Sequence, residues 1–175
     1  MKGRGIFFYM IDKYLEITKK IATACGVFAA ASIMLSIVIV TELVFERYIF
    51  GNAITWQPEL VTHLLVASTF IGSAYVFAEN GHVNMDYFYT FLSEKSVTIL
   101  KISTSVLCLV FFLVLLYVSY EIVSEAFLKN YDTGTVWGPP LWIPYSSMLI
   151  GAMLMTMAYV GELLKLGRKL KELSQ

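Results

Sequence analysis

The sequence predicts an all-α integral membrane protein with four transmembrane helices and both termini on the cytoplasmic side. Three observations carry this. Of 175 residues, 58% are hydrophobic and 15% are charged, against roughly 45–50% apolar and about 25% charged in a soluble domain. Four stretches, residues 21–41, 60–78, 102–120 and 133–161, contain no Asp, Glu, Lys or Arg, and the shortest has 19 residues. At about 1.5 Å per helical residue each covers the roughly 30 Å of bilayer hydrocarbon. The basic residues are also unevenly placed. Eleven of 13 lie before the first stretch (Lys2, Arg4, Lys13, Lys19, Lys20), between the second and third (Lys95, Lys101) or after the last (Lys165, Arg168, Lys169, Lys171). Only Arg47 and Lys129 fall in the first and third loops. Lys and Arg are retained on the cytoplasmic side, so the termini are placed there, an asymmetry that the formal net charge of zero conceals.

The chain is thus read as one membrane domain over residues 1–175, with spans at about 21–45, 58–78, 97–120 and 141–163. Ahead of the first span, "GIFFYMIDKYLEITKK" puts Phe7, Phe8, Ile11, Tyr14 and Leu15 on one helical face and Asp12, Lys13, Glu16, Lys19 and Lys20 elsewhere. That pattern predicts an interfacial helix at about 5–19. Its short apolar patch runs into charges where a small-residue cleavage site would stand, so no cleavable signal is expected.

Between spans one and two, "ERYIFGNAITWQPELVTHLL" combines Arg47, Trp56, Pro58 and Glu59, with His63 one turn further on. Pro58 suits a first helical turn, Glu59 complements the positive end of the helix dipole, and Trp56 suits headgroup depth. In the second loop, Met85, Phe88, Tyr89 and Leu92 are spaced i, i+3, i+4, i+7, which predicts a second interfacial helix at about 84–93. Asn84 or Asp86 favours its N-terminus, and Ser93 is the expected N-cap of the third span. The third loop carries Gly134, Gly138, Pro139, Pro140 and Pro144 with Trp137 and Trp142. Two consecutive prolines oppose a helix there, so the last span is expected to begin near Leu141.

Within the spans, small residues recur at four-residue spacing: Gly26 with Ala30, Ser68 with Gly72, and Ser147 with Gly151. Such pairs allow close helix contact, either within the chain or with a second membrane subunit.

Residues able to carry chemistry are few. There is no phosphate-cradling glycine loop, no nucleophile elbow and no metal-ligand spacing, so neither an enzyme nor an ATP-driven pump is expected. Cys25 and Cys108 both lie inside spans and read as packing residues. His63 and His82 fall at opposite ends of the second span, about 28 Å apart along a helix, too far to share a haem; no cofactor and no metal is expected. Glu42 is the most deeply placed acid and reads as a solvated or ion-paired helix end, as a polar contact to a partner, or as an ion relay. No ionisable cluster or broken helix marks a substrate site at mid-bilayer.

In order along the chain, "RYIFGNAITWQPEL", "FIGSAYVFAENGHVNMD" and "WGPPLWIPYSSMLIG" resemble the DctQ-like family, the small membrane subunit of tripartite ATP-independent periplasmic (TRAP) transporters. The matching positions are Arg47 and Tyr48, Trp56 and Glu59, the group Gly81, His82, Val83 and Asp86, and then Pro140, Trp142, Pro144 and Gly151. The resemblance implies a bacterial or archaeal inner-membrane protein, multi-pass, whose partners are a large polytopic subunit and a periplasmic binding protein, among membrane lipids and without nucleic acid. It also implies a scaffold role in ion-driven, typically sodium-driven, uptake of an organic acid. Partner contacts are accordingly expected at Arg47, Tyr48, Trp56, Glu59, His82, Asp86, Trp137 and Trp142, and polar contacts within the membrane at Glu42 and His63. The alternative is a self-sufficient, homo-oligomeric small transporter that uses Glu42.

Overall fold

The structure, a computed structural model, describes residues 2–52, 54–79 and 93–173. The described residues form four long helices and no β-strand: α1 (Lys2–Phe45), α2 (Trp56–Ala78), α3 (Glu94–Leu128) and α4 (Trp142–Glu172). Each is long and apolar enough to cross a membrane. Trp142 opens α4 directly after Leu141, where the two prolines end their disruption, and the Ser93 hydroxyl caps α3 by accepting from the Ser96 amide at 3.3 Å. The interfacial helix expected at 84–93 lies, apart from Ser93, outside the described residues.

The helices form an open row. α1 packs on α2, α2 on α4 and α4 on α3, while α1 meets α4 over a smaller area. That second contact lies near the chain termini. The Tyr14 hydroxyl donates to the Met157 carbonyl at 2.8 Å, and Leu15 and Tyr14 pack onto Gly161, leaving 3.1 and 3.3 Å to a hypothetical Cβ there. α3 sits at the edge of the row, and only 6% of its most apolar window is buried.

The segment expected to form a separate interfacial helix is instead continuous with the first span. α1 runs 44 residues without a break, about 66 Å at 1.5 Å per residue. Nothing between Ile6 and Cys25 interrupts it: that segment holds no Gly or Pro, and Glu16 pairs with Lys20 one turn on at 2.7 Å. Part of its apolar face packs against α4 through Tyr14 and Leu15, and Ile11 on the preceding turn is buried.

Small residues set the helix contacts. A Cβ on Gly72 would lie 2.8 Å from the Ala29 methyl, and one on Gly151 would lie 2.5 Å from the Phe70 carbonyl oxygen. Ser68 and Ser147 are buried beside them, each hydroxyl bonded to its own helix backbone, to Leu65 and Pro144 respectively. The pairs Ser68/Gly72 and Ser147/Gly151 are therefore used inside the chain. The expected Gly26/Ala30 pair is not: Ala30 is exposed, and Ala29, one position earlier, is the buried residue, while Gly26 lies under the Tyr75 ring. A Gly-to-Ala29 spacing of three keeps both on one helix face just as a spacing of four does. Between α2, α3 and α4, Phe77 and Phe112 pack on the Tyr159 ring with centroids at 4.5 and 5.5 Å.

Gly151→Ala is expected to lower the melting temperature of the purified protein in detergent, because the methyl meets backbone that has no room to yield; overpacking of this kind costs about 1–3 kcal/mol. Gly167→Ala, in the same helix with nothing within 4 Å of its Cβ position, should leave it unchanged or raise it slightly. Equal effects of the two substitutions would contradict the packing described.

Candidate functional site: the polar cluster at the loop end

At the end of the row opposite the termini, α1 winds into a π-helical turn, Glu46–Phe50, closed by Gly51 in the left-handed region at φ 68°. The Glu46 carbonyl accepts from the Gly51 and Asn52 amides, and its carboxylate accepts from the Asn52 side chain at 2.8 Å. Arg47 and Tyr48 are carried on this turn and both are exposed, Tyr48 to 85%. Among the described residues none makes a hydrogen bond or ion pair with Arg47.

α2 begins at Trp56, with Gln57, Pro58 and Glu59 in its first turn. Gln57 is completely buried, and its amide donates to the Glu42 carboxylate at 3.0 Å, joining the end of α1 to the start of α2. Among the described residues nothing donates to the Gln57 Oε1. Glu42 itself is exposed, and its only hydrogen bond among the described residues is this one. Among the described residues no basic side chain pairs with Glu42.

The third loop folds back over the start of α2. Three left-handed residues, Asn130 at φ 48°, Gly134 at 65° and Gly138 at 56°, allow its reversals. The Leu141 amide donates to the Tyr131 carbonyl at 2.9 Å, and Asp132 and Pro140 form an antiparallel bridge. Asp132 accepts from the Gly134 amide at 2.9 Å, an Asx turn. At the tip the Thr135 hydroxyl donates to Glu59 at 2.7 Å, lies 2.9 Å from the Thr133 hydroxyl and accepts from the Gly138 amide at 3.1 Å. Trp137 approaches the Trp56 ring edge-on, centroids at 6.3 Å, and the His63 ring at 6.4 Å. Trp142 packs edge-on against Phe127 at 5.9 Å. At the rim, Lys129 pairs with Glu125 at 2.6 Å, and that hydrogen bond, with a further one that the ammonium donates to the Tyr131 oxygen, raises the ammonium above the ordinary lysine value.

The structure therefore brings together four residues singled out from the sequence, Trp56, Glu59, His63 and Trp137, and joins Glu42 to them through Gln57. Arg47 and Tyr48 stand apart on the π turn, and Trp142 stands beside α3. His82 and Asp86 lie outside the described residues. Sequence reasoning missed Gln57, Thr133 and Thr135. Gln57 carried one usable signal: a primary amide next to the apolar run of α2 must find a partner when buried. The two threonines carried none, since Glu59, the acceptor of Thr135, is 76 residues away in the chain. Among the described residues no three His, Cys, Asp or Glu side chains converge as metal ligands. The cluster's chemistry is hydrogen bonding and aromatic contact.

Thr135→Val removes the hydroxyl that joins Glu59, Thr133 and Gly138. The expected loss is about 1 kcal/mol, seen as roughly fivefold faster amide hydrogen exchange in residues 131–141 with the rest of the molecule unchanged. Unaltered exchange in the loop would show that it is held by other contacts.

A search among curated proteins finds no match to the chain. The family model described as "Tripartite ATP-independent periplasmic transporters, DctQ component" matches residues 35–169, which is 135 of the 175 residues. The matched segment runs from the second half of α1 almost to the end of α4 and takes in the whole cluster just described. The chain belongs to the DctQ family: it is the small component of a TRAP transporter, a multi-pass membrane protein of a system that also comprises a large membrane subunit and a periplasmic binding protein.

Proposed function

We propose that this chain is a non-catalytic scaffold, which holds the large subunit of the transporter in place while that subunit carries the solute. The observation that carries the reading is the continuity of the four helices. None is interrupted within its apolar stretch, and residues 21–41, 60–78, 102–120 and 142–161 hold no ionisable Asp, Glu, Lys or Arg. Transport sites for ions and organic acids are built from broken helices and facing polar groups at mid-bilayer. A chain without them supports a pathway located in another subunit.

In this reading both termini face the cytoplasm and the polar cluster faces the periplasm of an inner membrane, following the basic residues. The solute is an organic acid delivered by the binding protein, and its uptake is driven by an ion gradient, sodium above all. The row's exposed edges supply the docking faces. On α3, Leu107, Phe111 and Val114 form an exposed apolar stripe, and Tyr117 donates to Glu121 at 2.7 Å close by. A carboxylate on an exposed helix face beside such a stripe favours a protein neighbour over lipid. Arg47, Tyr48, Trp56, Glu59, Trp137 and Trp142, and from the second loop His82 and Asp86, are the proposed contacts to the partners. Glu42 and His63 are polar contacts near the membrane boundary.

The purified chain alone in proteoliposomes is expected to show no solute uptake, and co-reconstitution with the large subunit and binding protein should restore it. Uptake by the chain alone would refute the scaffold reading. Arg47→Glu or Glu59→Lys should lower uptake or the yield of the complex at least severalfold, whereas Glu42→Gln, which keeps the bond to Gln57, should have a small effect. Abolition of uptake by Glu42→Gln with the complex intact would favour an ion relay at that carboxylate.

A further inference from the structure

Two opposite faces of α3 meet different surroundings. On one, Ser105, Phe112, Ser119 and Ala126 recur every seven residues; Phe112 packs on the Tyr159 ring of α4 and the other three are buried. On the other, half a turn around the helix, Leu107, Val110, Val114, Tyr117 and Glu121 follow at alternating steps of three and four. Each of these five is exposed, and none of the described helices covers them, since α3 ends the row. Steps of three and four make the seam along which two membrane helices pack at a shallow left-handed crossing.

An apolar seam alone suits lipid as well as protein, and Glu121 decides between them. Trp142 opens α4 beside Phe127 of α3. From Trp142 the stretch 142–161, free of Asp, Glu, Lys and Arg, covers about the 30 Å of hydrocarbon. The loop-side boundary therefore lies near the level of Phe127, and Glu121 sits about 9 Å from it towards the bilayer centre. Helix side chains lean towards the N-terminus of their helix, which for α3 is the far end, so the Glu121 carboxylate is directed away from the nearer headgroups. Its one hydrogen bond among the described residues comes from the Tyr117 hydroxyl at 2.7 Å. A carboxylate at this depth that faces only lipid is costly.

The cation that would offset this cost does not come from the chain itself. On the loop side its basic residues are Lys129, held by Glu125 at 2.6 Å, and Arg47, on the π turn that ends α1 at the other edge of the row. A second copy brings none either, because no Lys or Arg occurs in residues 21–41, 60–78, 102–120 or 142–161. The open edge formed by α1 is the contrast: residues 21–41 carry no Asp, Glu, Lys or Arg, and hydrocarbon satisfies that edge.

We infer that the seam from Leu107 to Glu121 docks a membrane-spanning helix of a different protein, which presents an arginine or lysine to the Glu121 carboxylate within the bilayer. Tyr117 is a positioning residue that holds the carboxylate on the seam. α3 is then the protein-facing edge of the row and α1 the lipid-facing one. The inference rests on the scaffold reading only in naming that protein as the large subunit.

The test uses the complex, drawn from membranes by a tag on the large subunit, and reads how much of this chain is retained. E121Q is expected to lower retention about fivefold or more and E121K about tenfold or more, as for a charge left without its mate or faced by a like one. V114W, which blocks the seam, should lower it too, whereas M34W, at an exposed position on α1, should not. Each variant purified alone should keep the melting temperature of the unaltered chain, because all three positions are exposed, so that a loss reports contact and not folding. Should E121K fold poorly, E121Q carries the test. Restored retention of E121K when one arginine or lysine in a membrane helix of the large subunit is changed to an acid would identify the mate. Unchanged retention in both Glu121 variants would overturn the ion pair, and a loss with M34W but not V114W would overturn the choice of edge. Either failure leaves the scaffold reading standing, since retention reads the contact whichever subunit carries the solute.

Discussion

The arrangement of the whole chain depends on α2 fitting between its neighbours without side chains in the way. Inside lipid, apolar surface gains little by leaving hydrocarbon for protein, so helices associate where their backbones approach closely and dispersion contacts accumulate. Gly72 against Ala29 ties α2 to α1, and Gly151 against the Phe70 backbone ties α4 to α2. The Tyr159 ring, packed on Phe77 and Phe112, then brings in α3. Because these contacts run along a line rather than around a centre, the outcome is a row with two open edges, and the apolar residues that a soluble bundle would bury stay at its surface.

How much of this was legible in the sequence depends on the range of the interaction concerned. The four helices rest on local properties, uninterrupted apolar length and proline position, and were readable, as was the Ser93 cap, which acts over three residues. The register of Gly26 was misjudged because spacings of three and four both face the same way, and only the partner helix decides between Ala29 and Ala30. The N-terminal amphipathic pattern identified a helix, but the pattern alone does not say what the apolar face meets. α4 supplies Met157 and Gly161 to it, and their identity as partners of Tyr14 and Leu15 is a tertiary fact.

The cluster at the loop end shows the same division. Trp56 and Glu59 could be assigned to a helix start from their neighbours alone. Glu59 has a further role that no local rule contains, since from the first turn of α2 it fixes the tip of the loop between α3 and α4. The first and third loops are thereby joined into one surface. Its geometry is set by side-chain hydrogen bonds at exposed positions, whose individual energies are small, and by three left-handed residues that allow the loop's reversals.

The order of the row also bears on how the protein is made. α1 and α2 are consecutive in sequence and pack on each other, so a stable pair is available as soon as both have left the ribosome. α3 is synthesised next, yet its main contact is α4, which comes last. During biogenesis α3 must therefore wait in lipid with its Tyr159-facing side uncovered. In that interval a chaperone, an insertase or a second membrane protein has its best access to that side of the helix.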